Sequence, residues 1–303
     1  MEYIEPKPVE VNPNAKRNKI IILSSVAAAL IAGIALTYYF TISKIFVEKD
    51  NIDLYTYSYR YDDENAGVRI DSVKESATLP AKFRIPNKLN GRPVVEIASG
   101  VFKNRTELKK VHLPENLKII GSECFYGCEN LESFNVPASV TSIGTEAFEN
   151  TKWLANQDDG EVVLGSMLYT YKGVMEYPAY VIKSEDSMPA NDSGTIVNLG
   201  KYINMSSGVF KGQYNLISAE IPDTFPAVYD SPFEDCDNLE SVELPDTLEA
   251  IKDYAFSGCS SLTEINLPED LKSIGNYAFS NSKITGEFNF HENLEYVGTG
   301  AFM

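Results

Sequence analysis

The 303-residue sequence predicts an α/β repeat fold, a solenoid of 23-residue units that form a parallel β-sheet with short helical turns, preceded by one transmembrane helix. Two observations predict this architecture. A phenylalanine returns every 23 residues through most of the chain, and residues 20–42 contain no charged side chain. The composition is 44% hydrophobic and 23% charged, which is typical of globular proteins and excludes a wholly disordered chain.

The repeat is defined by its marker phenylalanine, which keeps one register along the chain. The marker residues are Phe102, Phe125, Phe148, Phe210, Phe233, Phe256, Phe279 and Phe302. Every interval is 23 residues except the 62 residues between Phe148 and Phe210, which equal one period plus 39 further residues. The same frame carries segments such as LKKVHLP (108–114), and a fixed period of this length with this leucine pattern is typical of leucine-rich solenoids.

One unit shows why the pattern favours stacking. Val111 alternates with Lys110 and His112, which predicts a short strand with one face inward. Pro114 has no N–H to donate, so it ends the strand, and a short helical turn carries Phe125 back into the core. A single unit cannot bury these side chains, whereas stacked units share one continuous core.

Residues 239–261 and 262–282 resemble the BspA-like, or Treponema-type, leucine-rich repeats, and the resemblance covers about residues 65–303. Residues 83–102 are similar to the usual first unit, and residues 153–173 to an insertion module of the same proteins. The resemblance implies an arc-shaped solenoid with a parallel sheet. It also implies a surface-exposed or secreted protein linked to adhesion, with no catalytic residues to carry over.

The uncharged run at residues 20–42 is long enough to cross a bilayer, which needs about 20 apolar helical residues. It is longer than the apolar region of a signal peptide, and no convincing cleavage site follows, which favours an uncleaved anchor over a cleaved signal. Lys16, Arg17 and Lys19 precede the run. The positive-inside rule therefore predicts a single-pass protein of the cell membrane, with residues 1–19 as a cytoplasmic tail and the repeats outside.

The remaining boundaries follow from the repeat frame. We expect a stalk and N-terminal cap at residues 43–82, with a first strand in the Tyr-rich run 55–61, and a solenoid at 83–303. An insertion is expected at about residues 152–192, with a hairpin at 161–173 that serves either for binding or as a tolerated surface insertion. The last marker Phe is followed by one residue, so we also expect an uncapped C-terminal end through which copies could self-associate.

Charge and residue types exclude several function classes. The net charge of −17 opposes binding to nucleic acid phosphates. The sequence has two His and four Cys and lacks the GxSxG, HExxH, P-loop and GxGxxG motifs, so we predict no enzyme, no metal and no cofactor. Cys128, Cys236 and Cys259 share one repeat position, which favours buried thiols, with a disulfide between Cys236 and Cys259 as the alternative.

The candidate ligand-binding site is the outward face of the predicted sheet, where two polar positions per unit alternate with the core residues. These positions are Lys110 and His112, Ser133 and Asn135, Ser218 and Glu220, Ser241 and Glu243, Glu264 and Asn266, and Glu287 and Asn289. The row changes from basic to acidic along the array, and a long polar surface suits an extracellular protein or glycan. The first hypothesis is thus a membrane-anchored binding or adhesion module. The alternatives are a solvated face without a ligand and a structural envelope protein that self-associates.

Overall fold

The computed structural model describes residues 52–60, 66–187, 194–285 and 290–303. These residues belong to one compact unit, Ile52–Met303. The predicted cytoplasmic tail and the predicted transmembrane helix at residues 20–42 lie outside the described residues. Within the described ranges, no helix combines the length and the apolar character that crossing a bilayer requires.

Short strands dominate the unit. Among the described residues the strands are, in chain order, β1 (Tyr55–Arg60), β2 (Gly67–Val73), β3 (Lys82–Arg84), β4 (Lys88–Leu89), β5 (Arg92–Ile97), β6 (Lys110–His112), β7 (Ile119–Ile120), β8 (Ser133–Asn135), β9 (Ser142–Ile143), β10 (Gly160–Leu164), β11 (Met167–Lys172), β12 (Ala179–Ile182), β13 (Thr195–Asn198), β14 (Asn204–Met205), β15 (Leu216–Glu220), β16 (Ala227–Val228), β17 (Ser241–Glu243), β18 (Ala250–Ile251), β19 (Ser273–Ile274) and β20 (Tyr296–Val297). The one α-helix of these residues is α1 (Lys152–Ala155), and 3₁₀ turns occupy Ile52–Leu54, Glu185–Ser187 and Leu199–Lys201.

Most repeats contribute two strands, and equivalent strands of successive repeats pair in parallel. First strands form an N-terminal sheet of order β3-β6-β8, and two more join strands of the insertion in a C-terminal sheet of order β13-β12-β15-β17. Second strands form the sheet β16-β18-β19-β20, and others continue the cap strands in the sheet β1-β2-β5-β7-β9, with β4 beside β5. The pairs Lys110↔Ser133 and Ser218↔Ser241 keep the 23-residue period. The predicted single sheet is therefore wrong in detail, because the insertion interrupts the ladders after β8 and β9.

The N-terminal end is closed by an antiparallel strand. The predicted cap strand in the run 55–61 is β1, which pairs antiparallel with β2, and β2 begins the parallel ladder to β5. The hydroxyl of Thr56 bonds that of Ser72 at 2.6 Å on this pair. The cap thus supplies the backbone partners that β5 requires on its outer side.

The marker phenylalanines are confirmed as the core. Seven of the eight are fully buried, and Phe302 is partly buried. Neighbouring rings stack nearly parallel, with centroids 5.1 Å apart for Phe102–Phe125 and 5.4 Å for Phe233–Phe256. Burial of one such side chain stabilises the fold by about 1.5–3 kcal/mol, before the loss of conformational entropy.

The Phe residues lie in turns that are hydrogen-bonded from repeat to repeat, rather than in helices. The N–H of Phe125 donates to the carbonyl of Ala147 at 2.7 Å, and the same bond recurs from Phe256 to Ala278. Phe148 has no adjacent repeat to continue this ladder. Its N–H donates to the hydroxyl of buried Tyr169 at 2.9 Å. The insertion therefore closes the first stack through Tyr169.

The insertion combines a hairpin with added sheet strands. The predicted hairpin is confirmed, since β10 and β11 pair antiparallel around Gly165 and Ser166. β11 pairs in parallel with β14, and β12 pairs in parallel with both β13 and β15. The C-terminal sheet thus begins with strands that are not repeat strands.

Candidate binding surface

The outward side of the N-terminal sheet is a cluster of basic residues, here called the basic face: Lys82, Arg84, Lys110 and His112. Lys82 lies directly opposite Lys110, and Arg84 lies opposite His112. The middle residues of the two strands, Phe83 and Val111, are buried, so the charged neighbours point away from the core. Lys82, Arg84 and Lys110 are exposed and His112 is partly exposed.

The charges of the basic face are not neutralised within the described residues. Lys82, Arg84 and Lys110 have no ion-pair partner there. Partial burial lowers the pKa of His112, and the cations Arg84 and Lys110 lower it further. The imidazole is therefore neutral at pH 7, which leaves three positive charges on this face.

The C-terminal sheet carries the opposite charge, and its acidic face comprises Glu220 and Glu243, which lie opposite each other on β15 and β17. Ser218 and Ser241 occupy the second outward row. The ammonium group of Lys183, which follows β12, forms a salt bridge with Glu243. This hydrogen bond raises the pKa of Lys183, and the nearby carboxylates of Glu220 and Asp223 raise it further.

The predicted row of twelve residues is divided into two separate surfaces. Lys110, His112, Ser133 and Asn135 lie on the N-terminal sheet, and Ser218, Glu220, Ser241 and Glu243 lie on the C-terminal sheet. Glu287 and Asn289 lie outside the described residues.

Glu264 and Asn266 correct the prediction, because they are exposed but belong to no strand. The residue between them, Ile265, is partly buried, as is Val242 of β17. The strand ladder of the C-terminal sheet ends at β17.

Three residues of these surfaces were missed at the sequence level. Lys82 and Arg84 flank Phe83 in the alternation that marks a strand, so the pattern of the first unit contained a signal for them. Lys183 follows β12 of the insertion, outside the repeat frame, and no motif indicated that it would reach Glu243 sixty residues later in the chain.

The cysteine thiols of the described residues lie in the core. All four Cys are buried with free thiols, and the thiols of Cys128 and Cys259 donate to carbonyls of the preceding repeat at 3.0 and 3.1 Å. Burial raises the pKa of Cys128 and of Cys259 to about 12, so neither thiol ionises near neutral pH. Within these residues no group of three His, Cys, Asp or Glu side chains is placed to hold a metal ion.

A cleft of about 490 Å³ lies where the hairpin meets the turns of the repeats. Its lining includes Glu146, Glu149 and Lys211. Partial burial raises the pKa of Glu149, and Glu146 adds to the shift, whereas Lys211 forms an ion pair with Glu234 at 2.9 Å. The one lysine that lines the cleft is therefore already paired.

Residues 82–157 and 195–303, more than half of the chain, match the family described as BspA type leucine rich repeat region, in six copies. The chain belongs to this family. Its surface-type leucine-rich repeat fold agrees with the parallel ladders and stacked Phe residues described above. No curated protein sequence matches the chain.

Several solved bacterial structures are similar to this member of the BspA-type family. A leucine-rich repeat protein of T. pallidum is 23% identical, with a TM-score of 0.34, over 76% of this chain and 86% of that one. A leucine-rich repeat protein of Bacteroides ovatus is 21% identical, with a TM-score of 0.37, over 82% and 61% of the two chains. A leucine-rich cell surface protein of Faecalibacterium prausnitzii is 23% identical, with a TM-score of 0.34, over 78% and 54%. The aligned region spans less than two thirds of the last two proteins.

Proposed function

We propose that this chain is a membrane-anchored cell-surface protein whose repeats bind an extracellular protein or glycan across the outward sheet faces. The observation that carries the proposal is the alternation within β6, β8, β15 and β17. Their outward side chains are polar and at least partly exposed, while their middle residues pack on the core. Side chains held at fixed spacing on rigid strands form a pre-organised surface, which lowers the entropic cost of binding an extended ligand.

The anchor and the orientation are part of this proposal. Residues 20–42 remain an uncleaved transmembrane helix by their length and lack of charge, and the basic residues before them keep the N-terminus in the cytoplasm. Because the four native Cys are buried, they do not interfere with labelling by membrane-impermeant maleimide. Glu5→Cys should react only after the membrane is opened, whereas exposed Lys201→Cys should react on intact cells. Labelling of Glu5→Cys on intact cells would overturn the topology.

Binding is tested with the full chain in detergent micelles on immobilised matrix proteins, glycans and cell-wall fractions. The variant Glu220→Lys/Glu243→Lys/Glu264→Lys reverses the charge of the acidic face and of the neighbouring predicted site residue Glu264. A matched control, Glu115→Lys/Glu129→Lys/Glu269→Lys, makes the same change of net charge at exposed residues elsewhere. Loss of binding by the first variant alone supports a ligand at the C-terminal sheet.

Two results would contradict ligand binding at the acidic face. Equal losses in both variants would indicate a general charge effect, and no binding by the unmodified chain would contradict a binding module. Light scattering that shows a mass above one chain without ligand would then favour the structural alternative, in which copies of the chain self-associate in the envelope.

A further inference from the structure

The cations of the basic face have no ion-pair partner among the described residues, whereas four lysines elsewhere on the repeats are paired with a glutamate. Four lysines of the repeat turns and strand ends form salt bridges with a glutamate of an adjacent repeat. These pairs are Lys103–Glu123, Lys152–Glu132, Lys211–Glu234 and Lys272–Glu249. Lys82, Arg84 and Lys110, in contrast, lie together on one sheet face and form no ion pair within the described part of the chain.

This arrangement is unfavourable in the free protein. Adjacent strands lie about 4.8 Å apart, so the cations Lys82 and Lys110 lie next to each other, and like charges directly opposite each other destabilise a sheet. Arg84 adds a third positive charge beside the neutral His112. The outward residues of β8, Ser133 and Asn135, add no carboxylate. An anionic ligand would remove this repulsion, so the face gains more from such a ligand than a neutralised surface would.

We propose that the basic face binds a short acidic segment of a partner protein, rich in Asp or Glu. The proposal rests on the proposed function and adds the chemistry of its ligand. The planar guanidinium of Arg84 can donate two parallel hydrogen bonds to one carboxylate, while Lys82 and Lys110 act as point charges. Ser133 and Asn135 supply exposed polar groups beside them. The carbonyl of the Asn135 side chain already accepts the N–H of Leu113 at 3.1 Å, which fixes the amide in place.

The size of the face favours a short acidic segment over a long polyanion. The cations occupy two neighbouring strands and two outward rows, about 5 Å by 7 Å. Electrostatic interactions are screened over about 8 Å at physiological salt, so a short run of carboxylates interacts mainly with this face. A long anionic polymer would continue across a molecule whose net charge is −17, and that surface would repel it.

The test uses the full chain in detergent micelles and a fluorescein-labelled peptide of six Asp residues that alternate with Gly. A peptide with Asn in place of Asp is the neutral control. The variant Lys82→Gln/Arg84→Gln/Lys110→Gln removes three unpaired cations. The variant Lys152→Gln/Lys211→Gln/Lys272→Gln removes three cations that are already paired, with the same change of net charge. Circular dichroism verifies that both variants keep the fold.

Fluorescence anisotropy should show binding of the Asp peptide and not of the Asn peptide. The basic-face variant should bind about tenfold more weakly, the sum of three modest charge interactions, and the paired-lysine variant should change by less than about twofold. Equal weakening in both variants, or no binding of the Asp peptide, would overturn the inference.

A heparin-derived octasaccharide that binds the same face more tightly than the Asp peptide would also overturn it, in favour of an anionic glycan. The panel of immobilised ligands, tested with the variant Glu220→Lys/Glu243→Lys/Glu264→Lys, examines the proposed function separately. Failure of the peptide experiment therefore leaves that function standing if the panel shows specific binding.

Discussion

The repeats before the insertion (the N-terminal block) and those after it (the C-terminal block) have separate cores of the same kind but differ in their polar positions. Ring centroids in the Phe stacks are 5.1–5.4 Å apart from Phe102 to Phe148 and 5.2–5.6 Å apart from Phe210 to Phe302. The outward sheet faces, in contrast, are basic before the insertion and acidic after it. The hydrophobic period is thus common to all repeats, whereas the charge of the outward sheet face differs between the N-terminal and the C-terminal block.

A second difference lies three residues before each marker Phe. The N-terminal block has Ser99, Ser122 and Thr145 at this position. The C-terminal block begins with Ser207 and ends with Thr299, and its three middle repeats have Asp230, Asp253 and Asn276. The side-chain oxygens of Asp253 and Asn276 accept the backbone N–H of the same position in the next repeat, at 2.7 and 2.9 Å. The C-terminal block therefore has an additional ladder of side-chain hydrogen bonds between its repeats.

The largest effect tests whether the two cores are equivalent. Phe125→Ala and Phe233→Ala each remove a fully buried ring from the middle of a stack. Each should lower the free energy of unfolding by about 3–5 kcal/mol, because a cavity remains. Urea unfolding measures both. A cost below about 1 kcal/mol for either one, or a large difference between them, would contradict equivalent cores.

Features that recur with the 23-residue period could be predicted from the sequence, whereas features outside that period could not. Phe125 and the strand Lys110–His112 follow from residue type and a 23-residue period, since neighbours one period apart pack in the same way. The salt bridge between Lys183 and Glu243 joins residues that no period relates, so the balance of charge on the acidic face required the structure. The end of the ladder at β17 was not predictable either, because the segment of Ile265 carries the same alternation as β17 and Ile265 is partly buried like Val242.

The next effect concerns how closely the repeats approach at their backbones. A Cβ atom at Gly144 would lie 2.3 Å from the backbone nitrogen of Ser122, so Gly144→Ala should lower the free energy of unfolding by about 1–3 kcal/mol through overpacking. In the C-terminal block, Gly275 and Gly298 occupy the equivalent position with similarly close backbone neighbours, whereas the repeat of Phe256 has the exposed Lys252 there. Lys252→Ala is the control and should change the free energy of unfolding by less than about 0.5 kcal/mol. Equal costs in the two urea experiments would show that close approach does not distinguish these repeats.

A smaller effect concerns the left-handed residue two positions before the marker Phe. Ser231 has φ 56°, whereas Gly100 occupies the equivalent position with φ 69°. Ser231→Gly should raise the free energy of unfolding by about 0.5–1 kcal/mol, because glycine avoids the steric cost of this conformation but loses more backbone entropy. The reverse exchange, Gly100→Ser, should lower it by a similar amount, since no atom lies within 4 Å of the added Cβ. Destabilisation by Ser231→Gly in urea would contradict strain at this position.

The smallest effect concerns the ladder of side-chain hydrogen bonds in the C-terminal block, and it is measured as the pH dependence of the free energy of unfolding. Burial raises the pKa of Asp230, and the neighbouring carboxylate of Asp253 raises it further. The folded state therefore holds this proton more tightly than the unfolded state. The contribution of Asp230 to stability is thus most favourable at acidic pH and is lost as the pH rises through the folded pKa.

Asp230→Asn removes the charge and keeps an oxygen that can accept the N–H of Asp253, now bonded at 3.2 Å. Because the burial of Asp230 is only partial and solvent screens its charge, the gain at pH 7 should be about 0.5 kcal/mol and should disappear as the pH approaches 3. Thr145→Val is the control in the N-terminal block, where no carboxylate occupies this position, and its effect should not vary with pH. Urea unfolding of each variant between pH 3 and pH 7 measures both dependences. A gain for Asp230→Asn that is constant with pH would show that repulsion between carboxylates does not distinguish the two blocks.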